Sequence, residues 1–244
     1  MFLFYQPHIL SDLCLDVSES QHCVRVLRYK QGDTILITDG KGSTYTAKIT
    51  NANPKKCEVE IIGTEQQSKL HDFHLHLAVA PPKNTERMEW LVEKCTEIGV
   101  DEITPMVCRY SERTTLRLDR LQKIILSATT QSLNPYVPTL NEMASFEDLV
   151  ANATENYKFI AHCYKDDKTE LKEALLNLQK TNGKALDSVL VLIGPEGDFS
   201  EQEVENALQR GFVPIGLGKS RLRLETAAVV ACNTVILLND GKID

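Results

Sequence analysis

The alternation of hydrophobic and polar positions divides the chain into two regimes. Up to about residue 65 the apolar residues come in short runs. Thr34–Thr38 (TILIT) reads as an apolar strand, Asp39-Gly40 and Lys41-Gly42 supply turn chemistry, Thr44–Ile49 (TYTAKI) alternates, and Cys57–Ile62 (CEVEII) reads as a further strand. The first two form a hairpin signal with a loose four-residue connection. Short strands with no long helix between them indicate a small barrel. After the polar stretch Gln66–Lys69 the period changes. Leu75–Ala80 (LHLAVA) reads as a strand ending at Pro81-Pro82, and Met88, Leu91, Val92, Cys95 and Ile98 then recur at helical spacing until Gly99 stops the helix. Strand Ile103–Cys108, a basic helix around 117–131, strand Tyr157–Cys163, a polar helix around 168–180, strands Ser188–Ile193 and Phe212–Ile215, and an apolar helix over Ala227–Leu238 follow. This alternation predicts an α/β domain with a mainly parallel sheet. The boundary falls near residue 70, giving domains 1–70 and 71–244.

One helix start is written out in full. Ser200 can cap it, Glu203 completes the S-x-x-E capping box, Phe199 and Val204 stand where a hydrophobic staple would, and Gly211 stops it. Residues 194–199 are therefore a loop between a buried strand and a helix N-terminus, the place where open α/β sheets bind ligands. Two further loops follow, Gly216-Leu217-Gly218-Lys219 and Arg221-Leu222-Arg223-Leu224-Glu225-Thr226. Glycines at 194, 197, 216 and 218 would let a ligand approach the backbone, whose N–H and C=O groups can read an adenine edge. Each loop alone is more often a simple tight turn than a ligand site. No phosphate-binding G-x-x-x-x-G-K-[ST], no G-x-G-x-x-G after an early strand and no G-x-S-x-G elbow occurs. His74 and His76 alternate on a strand, but no partner spacing supports a metal, and none is expected.

Composition narrows the class. Hydrophobic residues make up 42% and charged residues 25%, ordinary for a soluble globular protein. The seven cysteines (14, 23, 57, 95, 108, 163 and 232) are odd in number and form no CxxC pair, which fits reduced thiols in a cytoplasmic protein. The start, MFLFYQPHIL, has neither the basic opening of a signal peptide nor the apolar length of a membrane span. A net charge of -7 argues against nucleic acid until its distribution is read. Arg109, Arg113, Arg117, Arg120 and Lys123 outweigh Glu112 and Asp119. Lys219, Arg221 and Arg223 form a second cluster, and Arg25, Arg28 and Lys30 a third. The acids concentrate at 142–155 and 196–205. Taken alone, such clusters are more often solvated faces than RNA contacts.

The string LIGPEGDFSEQEVENALQRGF, followed by LGKSRLRLETA, resembles the C-terminal signature of the RsmE family of 16S rRNA uridine-N3 methyltransferases, within the SPOUT superfamily. The family pattern is close to IGPEGGFS and then LG-x-RILR-x-ETA. Asp198 stands where a second glycine is usual, and Ser220–Leu224 departs in the RILR region, while Gly194–Gly197, Leu217–Gly218 and Leu222–Ala227 keep the core of the match. Ala80–Lys83, Glu89–Gly99, Ile103–Pro105 and the basic Ser111-Glu112-Arg113 are similar to the family's first elements. Residues 128–138 (ATTQSLNPYVP) depart from its usual EQS stretch, and His22, Val26–Arg28 and Gly32-Asp33 resemble its N-terminal PUA-like barrel.

The resemblance implies a SPOUT-type α/β domain with a trefoil knot, preceded by a small PUA-like β-barrel that holds RNA. It implies a homodimer, S-adenosyl-L-methionine as cofactor, and methyl transfer to ring nitrogen 3 of a uridine in 16S rRNA of the small ribosomal subunit. The implied cofactor contacts are Ile193, Gly194, Pro195, Glu196, Gly197, Leu217, Gly218, Leu222, Arg223, Leu224, Thr226 and Ala227. Arg223, Glu196 and Glu225 are the candidates for chemistry. Glu196 reads equally as a loop-ordering carboxylate, and Glu225 as a helix N-terminal acid. Arg25, Arg28, Lys83, Arg109, Arg113 and Arg117 are the candidate RNA contacts. A knotted methyltransferase for another RNA, or a noncatalytic RNA-binding assembly factor that keeps the fold, are the alternatives. An unrelated metabolic α/β enzyme would need a small-molecule site that the sequence does not show.

Overall fold

The computed structural model describes residues 2–164, 168–183 and 185–239. The chain divides into two compact units. The first runs to Leu70 and also takes in Leu126–Val137; the second comprises His71–Ile125 and the chain from Pro138 onward.

The first unit is built on a four-stranded sheet in the order β1-β2-β3-β4, from Leu3–Tyr5, Thr34–Thr38, Ser43–Asn53 and Lys56–Gln66. β1 and β2 are parallel and the other pairs antiparallel. Between β1 and β2 lie the short helices α1 (Ile9–Asp12) and α2 (Val17–Gln21), the latter running into a wide π turn at His22–Val26. The expected hairpin is present, with Thr38 opposite Thr44 and Thr34 opposite Lys48. Asp39 Oδ1 orders its turn by accepting N–H bonds from Lys41 (2.8 Å) and Ser43 (3.2 Å). Alternation puts Ile35, Ile37, Tyr45, Ala47, Ile49, Cys57 and Val59 into one core with Phe4, Ile9, Leu15 and Cys23. The segment 126–137 closes on the hairpin turn. Gly42 N–H donates to the Pro135 carbonyl (3.1 Å) and Val137 N–H to that of Gly40 (3.0 Å). Gly42 has φ +98°, and a Cβ there would stand 2.2 Å from the Tyr136 hydroxyl, so the position is closed to other residues.

The second unit is a parallel sheet with helices. Its elements are β5 (His74–Val79), α3 (Thr85–Ile98), β6 (Glu102–Val107), α4 (Leu118–Gln131, whose end belongs to the first unit), β7 (Thr139–Leu140), β8 (Ala144–Ser145) and α5 (Phe146–Asn152). They continue with β9 (Tyr157–Ala161), β10 (Thr169–Glu170), α6 (Leu171–Asn182), β11 (Ser188–Ile193), α7 (Glu201–Gln209), β12 (Val213–Gly216) and α8 (Leu224–Asn239). The strand order is β10-β12-β9-β11-β5-β6-β7, with β8 also on β6, and every described pair is parallel. β11 and β5 are central and buried on both faces, which explains their unbroken apolar runs. β11 enters between β5 and β9, both earlier in the chain. α3 buries Met88, Leu91, Val92 and Cys95 as its spacing predicts and ends at Gly99, φ +114°. α8 packs on α3, α6, β5 and β11.

Polar groups gather at the N-terminal edge of this sheet. His74 Nε2 lies 2.8 Å from Glu102 Oε2, His76 Nε2 lies 2.7 Å from Thr104 Oγ1, and His76 Nδ1 pairs with Glu155. Asn141 donates to both Glu102 and Thr104. The two alternating histidines are thus carboxylate partners, and among the described residues no group of three or more His, Cys, Asp or Glu is arranged to hold a metal ion. The His74 bond, with His76 and Asn141, brings the Glu102 carboxyl from its ordinary 4.5 down to about 2 against the opposing effect of burial. A depressed carboxylate favours the folded state above its unfolded value and loses that advantage as pH falls towards the folded one. Thermal melting should therefore fall more steeply between pH 4.5 and about 2 in the wild type than in Glu102→Gln. Parallel acid limbs would contradict the assignment.

α7 begins as its sequence dictates. Ser200 accepts the Glu203 N–H, and the buried Glu203 carboxylate accepts the Ser200 N–H at 2.7 Å. Ser200→Ala should cost about 1 kcal/mol in urea unfolding. A loss near zero would mean that the cap is redundant.

Candidate active site

The loops that leave the C-terminal ends of β9, β11 and β12 surround a cavity of about 850 Å³. Its wall is made by Ala161–Cys163 after β9, by Ile193–Glu196 and Asp198 after β11, and by Ile215–Glu225 with Ala227 after β12. Arg87, Lys168 and Glu170 complete it. This is the edge at which a parallel α/β sheet collects ligands.

Beyond the last strand pair the backbone N–H groups of these loops have no ladder partner, and acidic side chains take the place of one. Glu196 Oε1 accepts from Lys83 N–H at 3.0 Å, Asp198 Oδ2 from Cys163 N–H at 2.7 Å, and Glu170 Oε2 from Gly218 N–H at 2.7 Å. Glu203 Oε1 accepts from Arg109 N–H at 2.8 Å in addition to its capping bonds. Each bond joins segments far apart in sequence, so together they lace the rim of the sheet. Charge-assisted bonds of this kind are roughly twice as strong as neutral ones.

Small residues complete the wall. A Cβ on Gly194 would meet the buried Phe199 ring at 2.9 Å, and one on Gly197 would meet Tyr110 Cβ at 3.0 Å. Gly218 has open space but φ +103°, so any side chain there strains the backbone.

The candidate chemical residues meet here. Arg223, Glu196 and Glu225 all line the cavity. α8 starts at Leu224, earlier than the apolar run suggests, and this puts Glu225 and Thr226 in its first turn. Glu225 is buried. Its Oε1 lies 3.6 Å from Arg87 Nε, and its Oε2 has no hydrogen-bond partner among the described residues. A buried carboxylate oxygen without a donor is costly unless a bound group supplies one. Of the residues expected to hold cofactor, Ile193, Gly194, Pro195, Glu196, Leu217, Gly218, Leu222, Arg223, Leu224 and Ala227 line the cavity, whereas Gly197 and Thr226 do not.

The candidate RNA cations divide. Lys83 is tied to the cavity wall through Glu196, and Arg109 to Glu203, which lies outside that wall. Arg113 Nη2 donates to the Lys83 carbonyl at 2.7 Å, and Lys83 Nζ reaches Glu112 at 2.8 Å, an exposed pair that raises the lysine pKa. Arg117 is paired with Asp119 at 2.9 Å on the surface. Arg25 and Arg28 are exposed in the first unit, Arg28 with φ +61°. Sequence reasoning missed Arg87, Lys168 and Glu170 as parts of the wall. Glu170 immediately precedes a polar helix with no pattern to mark it.

Residues 69–236 match the model of the RNA methyltransferase domain family, and residues 15–62 that of the RNA methyltransferase PUA domain. The ribosomal RNA small subunit methyltransferase E of Mesomycoplasma hyopneumoniae is 31% identical over 84% of this chain and 86% of its own length. That of Synechocystis is 26% identical over 91% and 72%. A probable rRNA-methyltransferase from Porphyromonas gingivalis superposes with a TM-score of 0.88 at 38% identity over 98% of both chains. A ribosomal RNA small subunit methyltransferase E from Neisseria gonorrhoeae, bound to S-adenosyl methionine, does so with 0.83 at 29% identity over 98% of both. With matches spanning both units and the glycine-rich loops standing around one cavity, the chain belongs to the RsmE family of ribosomal RNA small subunit methyltransferases.

Proposed function

We propose that this chain transfers the methyl group of S-adenosyl-L-methionine to ring nitrogen 3 of one uridine in 16S rRNA, within the small ribosomal subunit. The observation that carries this reading is the cavity at the C-terminal edge of the parallel sheet. It is walled by the backbone of 194–196, 217–218 and 222–224 and holds the buried, half-satisfied Glu225 carboxylate.

These residues fit the cofactor. Glycine-rich backbone can approach an adenine and meet its edge with N–H and C=O groups. Glu225 Oε2 would accept from the cofactor's ammonium, and Arg87, already beside that carboxylate, brings a cation for its carboxylate end. The bound cofactor supplies an electrophilic methyl on a sulfonium.

The chain's own groups must deal with the uridine. Nitrogen 3 carries a proton and attacks only as that proton leaves, which puts negative charge on the uracil. Arg223, exposed at the cavity wall, is placed to stabilise that charge, with Arg113 as a second cation beside Lys83. Glu225 and Glu196 are the carboxylates at hand to take the proton. Glu196 already holds Lys83 N–H, which favours it as a loop-ordering group. The reactive edge of uridine is paired in a duplex, so the base must be unpaired or turned out.

Residues 71–244 form the methyltransferase domain in this reading, with its C-terminal part knotted as the resemblance implies. The insertion of β11 between the earlier strands β5 and β9 supports that topology. Residues 1–70 form the PUA-like barrel and bring Arg25 and Arg28 to RNA, while Lys83, Arg109, Arg113 and Arg117 bind phosphates near the cavity. A homodimer is the assembly that the resemblance implies. A cytoplasmic site of action follows from the substrate, and among the described residues no helix is long and apolar enough to cross a membrane.

Labelled S-adenosyl-L-methionine, small subunits lacking the modification and mass spectrometry of the digested nucleosides test the reading. Wild type should give one N3-methyluridine. Gly194→Ala, which drives a methyl into Phe199, should weaken cofactor binding about tenfold or more. Arg223→Gln should lower kcat about a hundredfold with little change in cofactor affinity. Transfer only to tRNA or large subunits would overturn the substrate, and no transfer to any RNA would overturn the enzyme.

A further inference from the structure

We propose that Asp198 is a positioning residue, whose carboxylate locks the loop after β11 to the segment after β9 and so preforms one wall of the cofactor cleft. The inference rests on the methyltransferase reading of that cleft.

Asp198 adopts φ +66°, a left-handed conformation that a side chain disfavours and that aspartate tolerates better than most residues. Glycine would take the same backbone shape without strain. What glycine cannot do is bond, and Asp198 bonds with both carboxylate oxygens. Its N–H donates to the Pro195 carbonyl at 2.9 Å and closes the turn. Oδ1 accepts from Phe199 N–H at 2.9 Å, which fixes the side-chain orientation. Oδ2 then reaches Cys163 N–H at 2.7 Å.

The last bond has a specific place in the fold. β9 and β11 are adjacent, and their register ends with Ala161 opposite Ile193. Cys163 lies two residues past that end and Asp198 five, so the carboxylate supplies an inter-strand contact where the backbone ladder has run out. Both residues line the cavity. Without the tie, the exposed Cys163 N–H would turn to water, at small cost to the folded state. The cost would appear on binding, because a loop left loose must be ordered by the ligand, and that ordering is charged against affinity. The position therefore separates cofactor affinity from stability.

The test compares Asp198→Gly, Asp198→Ala and Asp198→Asn with wild type by calorimetric titration with S-adenosyl-L-methionine, by melting without cofactor, and by amide hydrogen exchange at Cys163. Asp198→Gly should raise Kd about tenfold, the size expected for losing a hydrogen bond to a charged group, while melting stays close to wild type. Cys163 exchange should quicken in the glycine and alanine variants. Asp198→Asn keeps the left-handed preference but offers a single carbonyl acceptor to the two N–H donors that Asp198 serves, and should recover only part of the affinity lost in Asp198→Gly. Wild-type affinity in Asp198→Gly, or unchanged Cys163 exchange, would overturn the proposal while leaving the cleft's function intact. No cofactor binding by wild type would overturn the reading of the cleft and this inference with it.

Discussion

A parallel sheet ends in loops whose backbone N–H groups point past the last rung of the ladder, and each needs an acceptor. Here acidic side chains meet much of that need. Glu170, Glu196, Asp198 and Glu203 each accept an N–H from a segment distant in sequence, at 2.7 to 3.0 Å. At these four positions the acids also serve as ties between segments, although of the four only Glu203 is buried. Glu170, Glu196 and Asp198 line the cavity of about 850 Å³.

This arrangement explains how an acidic protein presents a face to RNA. The Glu196 carboxylate is bonded to the Lys83 backbone, and Arg113 is tied to the same segment through the Lys83 carbonyl. The field at the cleft depends on which charges are used up internally and which are left outward, so the sum over the chain is a poor guide. The left-outward set includes the exposed Arg109 and Arg223. Glu225 is the exception among the acids: it is buried, lines the cavity and has one oxygen lacking a donor among the described residues.

Much of this was legible in the sequence. Buried strands announced themselves by unbroken apolar runs, α3 by its spacing and Gly99, and α7 by a complete capping box, because each signal is local. The three loops were legible for the same reason, each following a buried strand. The short elements were not: β1, α1, α2, β7, β8, α5 and β10 are fixed by tertiary contacts, and few of their own residues carry a period. That Leu126–Val137 folds with the first unit depends on Gly42 fitting under Tyr136, a contact between residues more than ninety positions apart. Arg87 and Glu170 belong to the site through long-range bonds that no motif encodes. Asp198 was visible as a departure from the family pattern, and only its partner at Cys163 gives the departure a meaning.

The central claim is that the laced edge of the sheet is where S-adenosyl-L-methionine binds. Titrating the cofactor into isotopically labelled protein and following backbone amide resonances tests it most directly. Saturable shifts should concentrate at Gly194, Glu196, Leu217, Gly218, Leu222 and Arg223, with little change along β2–β4. Saturable shifts centred elsewhere, or none at millimolar cofactor, would contradict it.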